Sequence, residues 1–167
     1  MITRILFQNS LMLATLFTTL VTGFILMFAI VVMPGLGTLP AADFLRAFQV
    51  MDRVIQNNQP LFMIVWVGSV VTLLMATVLG FSQLGGVARL LLVGATVSFI
   101  VGTQAPTRAV NIPLNNHLQT LTIDGLPEHR QRVEREQFEG RWNRWNVIRT
   151  IFASSSSVLL ILVLRMM

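Results

Sequence analysis

From Leu11 to Met33 the chain carries no charged residue. Wound as a helix at about 1.5 Å per residue, a run of that length covers the roughly 30 Å hydrocarbon core of a bilayer. Three more apolar runs follow, at about 61–81, 87–102 and 147–164. In lipid every backbone N–H and C=O must be bonded within its own segment, so each run has to be a helix. A soluble core is not open to this chain. Only 11% of its 167 residues are charged, against about a quarter in soluble domains, and its mean hydropathy is +0.71. A small domain leaves too much surface in water to hide that much apolar area. The expected fold is all-α: an integral membrane four-helix bundle, one membrane domain over residues 1–167.

Arg4 ahead of the first run raises the alternative of a secretory signal. The apolar stretch is too long for a signal core and no small-residue cleavage site follows in a polar setting, so it reads as a retained span ending at Pro34-Gly35. The second span enters through Gln59-Pro60. The turn Gln83-Leu84-Gly85-Gly86 predicts an antiparallel hairpin with the third, and Arg165 closes the fourth. Small residues recur at spacing four at Gly68, Thr72, Ala76 and Gly80, and again at Gly94, Ser98 and Gly102. Such stripes let membrane helices approach closely. The run Ser154–Ser157 can bond to carbonyls four residues back or to a ligand.

The connectors also read as helices. Over 41–57 an amphipathic helix sets Phe44, Phe48, Met51 and Ile55 along one side and Arg46, Gln49, Arg53 and Gln56 along another. It is expected against the bundle mouth or in the headgroup region. Between spans three and four a helical connector covers 112–146. Pro113 opens a first piece that Asp124-Gly125 ends, and Pro127 opens a second that runs through Gly140 into the fourth span. Glu128, Arg132 and Glu136 follow at i,i+4, as do Arg135 and Glu139, which reads as a solvated face. The termini and the short turn share one side with Arg4, Arg89 and Arg165. The other side holds the remaining arginines, so the positive-inside rule leans towards a cytoplasmic long connector in a multi-pass protein of a bacterial inner membrane.

Several chemistries are excluded by absent residues. There is no cysteine, lysine or tyrosine, hence no disulfide, thiolate site, Schiff base or tyrosyl acid. The two histidines, His117 and His129, have no second ligand at helical spacing, so no metal site is expected. No span contains an acid, which argues against an ion-coupled transporter. The net charge of +5 is spread over span ends and paired runs, so nucleic acid is not an expected partner.

Two constellations stand out. Trp142, Trp145, Asn146 and Arg149 fall at i, i+3, i+4 and i+7, one helix face leading into the fourth span. They form either an interfacial aromatic belt or a site where indoles stack on a flat molecule and Asn and Arg bind its oxygens. Asn111, Asn115, Asn116 and His117 cluster about Pro113, as a helix cap or as ligand donors. A third group, Gln56-Asn57-Asn58-Gln59, caps the amphipathic helix or lines the same mouth.

Four segments carry a family resemblance: Met33-Pro34-Gly35-Leu36, Phe44 to Gln49 through Ile55-Gln56-Asn57, Val110 to Asn116, and Trp142 to Thr150. Together they resemble a family of small four-span membrane proteins whose named members include anthrone oxygenases. The resemblance implies a four-span fold and cofactor-free oxidation of a polyaromatic anthrone to a quinone. For that chemistry the candidates in this chain are Arg149, Asn146 and Asn115 for the oxygen site, Trp142 and Trp145 for stacking, Asn111 and Asn116 for ligand contacts, and His117, outside the resembling segments, for the base. Apart from the resemblance, the two histidines leave open a haem-binding membrane protein with one histidine ligand. The expected partners are the lipid bilayer and a lipophilic aromatic small molecule. The alternative is a non-catalytic subunit that docks a membrane protein partner or forms a homo-oligomer.

Overall fold

The structure is a computed structural model that describes residues 1–167. It contains helices and no strand. Five helices make up the chain: α1 (Ile2–Gly37), α2 (Ala41–Gln56), α3 (Pro60–Gly80), α4 (Gly86–Gln119) and α5 (Glu128–Arg165), with a single 3₁₀ turn at Ile123–Gly125. All but α2 are long and apolar enough to cross a membrane, so this is a multi-pass membrane protein.

Three of the spans are longer than a bilayer requires. Helices α1, α4 and α5 have 36, 34 and 38 residues. At about 1.5 Å per residue each reaches over roughly 50 Å, against a hydrocarbon core of roughly 30 Å. The surplus of all three lies on the side away from the termini. There it packs with α2 into a second core of Met33, Phe44, Leu45, Phe48, Leu118, Ile123, Phe138 and Trp142. The first core, inside the bundle, is built on Phe7, Leu11, Ile25, Leu73, Leu92, Phe99 and Leu160. On the termini side, Gln83 Nε2 donates to the Thr3 carbonyl (3.2 Å), which ties the α3–α4 turn to the chain start.

Glycine allows the closest approaches. A Cβ on Gly80 would lie 2.5 Å from Phe7 Cε2, and one on Gly102 would lie 2.1 Å from Phe152 Cγ. The helices α3 and α4 meet through Thr77 Oγ1 and Thr96 Oγ1, 2.6 Å apart. The serine run ties helices together: Ser156 Oγ donates to the Ala95 carbonyl (2.9 Å) and Ser157 Oγ lies 3.0 Å from Thr22 Oγ1.

Prolines explain why the helices run past their expected ends. Pro40, Pro60 and Pro127 stand at helix starts, where no N–H is needed. Pro34, Pro106 and Pro113 lie inside continuous helices, and each directly follows a π-turn. Met33 N–H bonds to Phe28 O, Ala105 to Ile100, and Ile112 to Thr107, all five residues back. A proline ring collides with the carbonyl four residues before it. The wider turn relieves that collision, so α1 continues past Pro34-Gly35 to Gly37, and α4 passes 102 to reach Gln119.

The connector face is solvated as expected at Glu128, Arg132 and Glu136, but not at Arg135 and Glu139. Arg135 donates to the Leu39 carbonyl (2.6 Å) and the Gly37 carbonyl (2.8 Å), satisfying the end of α1, while also pairing with Glu139 (2.7 Å). Glu134 is buried. Gln49, read as part of the outer side of α2, turns inward and donates to the carbonyls of Leu118 (2.7 Å) and Leu121 (3.0 Å). Buried backbone at the end of α4 needs those donors, which outweighs any preference of the amide for water.

Candidate functional site

The second layer does not fill completely. Between α2, the start of α3 and the surplus of α4 and α5 lies a cavity of about 220 Å³. Its wall is mainly apolar: Phe24, Phe28, Phe48, Met51, Ile55, Phe62, Met63, Trp66 and Trp142 all face it. The rings touch one another, Phe48 on Trp142 at 5.3 Å and Phe62 stacked on Trp66 at 5.3 Å between centroids. Against this apolar wall stand five polar residues: Asp52, Thr107, Asn111, Asn115 and Arg149. Two π-turns shape the wall, one beginning at Phe28 and the other spanning Thr107 to Asn111. π-turns are frequent at functional sites because they re-aim side chains.

Arg149 is the cation of the site and is 5% exposed. Its Nε and Nη2 donate to Asn146 Oδ1 at 3.0 and 2.9 Å, and Nη1 donates to Thr107 Oγ1 at 3.1 Å. Asn146 is fixed in turn by donating Nδ2 to the Ile25 carbonyl (3.1 Å). The guanidinium lies over the Trp142 ring, 5.2 Å from its centroid. A guanidinium has five N–H donors. Three are used here, so one on each Nη has no protein partner. No carboxylate lies within ion-pair distance of it.

A second polar group faces the same cavity. Asp52 is 5% exposed. Its Oδ1 accepts from Asn115 Nδ2 (2.7 Å), and its Oδ2 accepts from Gln56 Nε2 (2.7 Å) and Gln119 Nε2 (3.0 Å). Asn115 Oδ1 accepts from the Trp142 indole N–H (2.9 Å). Asp52, Asn115 and Trp142 thus form one chain of bonds, with Arg149 over the far end. Asn111 donates Nδ2 towards the Trp142 carbonyl (3.4 Å), and its Oδ1 is buried without a donor.

The family model described as anthrone oxygenase matches residues 44–159, more than half of the chain. The chain belongs to the anthrone oxygenase family. A search of curated proteins and a search of solved structures each return no match. Every polar residue of the cavity falls inside the segment shared with the anthrone oxygenase family, and only Phe24 and Phe28 of its wall lie outside.

Of the residues singled out from the sequence, Asn111, Asn115, Trp142 and Arg149 come together around the cavity, and Asn146 stands behind Arg149 and holds it. The other three do not line it. Trp145 is half-buried at the edge of its helix face. Asn116 is exposed and accepts from Gln56 (3.2 Å). His117 is also exposed, with its ring N 2.9 Å from Glu134 Oε2, outside the cavity. The chain has no cluster of three metal-ligating side chains.

Sequence reasoning missed Asp52 and Thr107. Thr107 is far from Arg149 along the chain and carries no pattern of its own. Asp52 did carry a signal: it lies four residues after Phe48 and three before Ile55, which puts a carboxylate on the apolar side of α2.

Proposed function

We propose that this member of the anthrone oxygenase family binds a flat, lipophilic aromatic ketone of the anthrone type in the cavity and oxidises it with dioxygen to the quinone. Arg149 supports this reading most strongly. A buried cation without a counter-charge is unfavourable by several kcal/mol. A ligand oxygen that gains negative charge on enolisation supplies that counter-charge and takes up the two free N–H donors. The enolate is held more strongly than the ketone, which is what lowers the barrier to proton loss.

The wall suits the rest of such a ligand. Drug-sized ligands occupy roughly 300–1,000 Å³. A cavity of about 220 Å³ favours a compact flat molecule, packed edge and face against Phe28, Phe48, Phe62 and Trp142. A phenolic hydroxyl on the ligand would satisfy the free Asn111 Oδ1.

The test is a titration of the purified protein in mild detergent with 1,8-dihydroxyanthraquinone, a stable stand-in for the product. The wild-type chain should bind it, and Arg149→Gln should bind at least tenfold more weakly, because a bond from a charged donor is worth roughly 1.5–3 kcal/mol. Oxygen uptake with the matching anthrone should follow the same order. Equal affinity in the two proteins would sink the proposal.

A further inference from the structure

The oxidation proposed above needs a base, and the histidine first suggested for that part lies outside the cavity. We infer that Asp52 is the base. This inference rests on the proposed oxidation and adds the residue that takes the proton.

Asp52 is the one acid facing the cavity. Three side-chain amides hold it from behind, two on Oδ2 and one on Oδ1. A carboxylate offers about four acceptor positions, two on each oxygen. Oδ2 is therefore filled, and Oδ1 keeps one lone pair free. Amide donors of this kind fix the carboxylate and offset part of its burial without neutralising it, as an arginine or lysine partner would. No cation lies within ion-pair distance of Asp52, although Arg149 faces the same cavity. Two opposite charges share one small apolar space without pairing. Both are linked to Trp142, Arg149 over its ring face and Asp52 joined to its N–H through Asn115. A flat ketone against that ring would present its oxygen to one charge and its acidic C–H to the other.

The chemistry balances with dioxygen as the oxidant. Asp52 Oδ1 takes a proton from the methylene across the central ring from the ketone. The electron pair of the broken C–H bond moves to the ketone oxygen, held by Arg149. The carbon then bonds to dioxygen, which is reduced to the peroxide level, and the proton from Asp52 completes a hydroperoxide. Asp52 removes the second hydrogen of that carbon. The C=O bond forms as the O–O bond breaks, and the departing hydroxide takes the proton from Asp52 and leaves as water. In total one methylene and one dioxygen become one carbonyl and one water, and Asp52 ends unprotonated.

The experiment measures three quantities on the full chain in detergent: oxygen uptake with 1,8-dihydroxyanthrone, anaerobic exchange of its methylene hydrogens for deuterium, and affinity for 1,8-dihydroxyanthraquinone. Asp52→Asn should lose roughly 10²–10⁴-fold in both uptake and exchange, the usual contribution of a positioned base, while quinone affinity stays within about threefold, the wall contacts being untouched. Asp52→Glu should recover part of both rates. If Asp52→Asn fails to fold, Asp52→Ala with added formate decides: the three amides should seat the formate and restore turnover. Asp52→Asn that binds quinone and turns over at the wild-type rate overturns the assignment alone. Folded Asp52→Ala that formate does not revive also overturns it. Wild-type protein that neither binds nor oxidises overturns the functional reading and this assignment together.

Discussion

Replacing Gly102 by alanine adds one methyl group where α4 and α5 are nearly in contact. The new Cβ would stand 2.1 Å from Phe152 Cγ and 2.4 Å from Phe152 Cβ. Carbon atoms rest about 3.5–4.0 Å apart. Rotation of Phe152 moves its ring but not its Cβ, so the two helices must part by about 1 Å to reach that spacing. Overpacking of this kind costs about 1–3 kcal/mol. The same shift loosens the bond from Ser98 Oγ to the Phe152 carbonyl (2.8 Å), for another 0.5–1.5 kcal/mol or so. The expected loss is about 2–4 kcal/mol, read from equilibrium unfolding in mixed detergent micelles. Two neighbours calibrate it. A Cβ on Gly94 meets Leu159 at 3.7 Å, an ordinary contact, and one on Gly23 meets nothing within 4 Å. Gly94→Ala should be near neutral, and Gly23→Ala should gain about 0.5–1 kcal/mol from lower chain freedom. Phe152→Ala should not rescue Gly102→Ala, since its Cβ remains. Phe152→Gly should rescue it, with clear non-additivity. A Gly102→Ala protein as stable as wild type would refute the close approach of α4 and α5.

Other perturbations act nearer the cavity. Trp142→Phe removes the indole N–H and leaves Asn115 Oδ1 without its donor, so stability should fall by about 1–3 kcal/mol in the same assay. Arg135→Met strips two donors from the end carbonyls of α1 and should cost about 1–3 kcal/mol, visible also as faster deuterium exchange at Gly37 to Leu39. The exposed pair of Arg46 with Asp124 should behave otherwise. Asp124→Asn, or high salt, should barely move the unfolding midpoint. Its bond to Asp124 raises the Arg46 pKa, so the arginine side of that small contribution is complete at neutral pH and is lost as the pH rises into strong alkali.

Much of the architecture was legible because a bilayer leaves few choices. Apolar runs without charge had to become helices, and the side of α2 carrying Phe44 and Phe48 had to face inward. The length of α4 was hidden. Its continuation is polar, and Pro106 and Pro113 read as stops by the ordinary helical rule. The π-turns that absorb them change the phase of everything that follows, so a 3.6-residue period cannot align Thr107 and Asn111 with the span below. Within the site, Trp142, Asn146 and Arg149 share one regular helix, and their common face could be seen in their spacing. Asp52 comes from another helix, and its partners Asn115 and Gln119 lie more than sixty residues further along. Only folding brings them together.

The cavity is bordered by Phe62, Met63 and Trp66 in the first turns of α3, a helix long and apolar enough to cross a membrane. A ligand of the proposed class dissolves in the membrane before it meets the protein. Occupancy of such a site follows the mole fraction of ligand in the bilayer and not its molarity in the surrounding water. Two preparations with the same protein and substrate but different amounts of lipid would then give different apparent KM values. Plotted against substrate per lipid, their rates would fall on one curve.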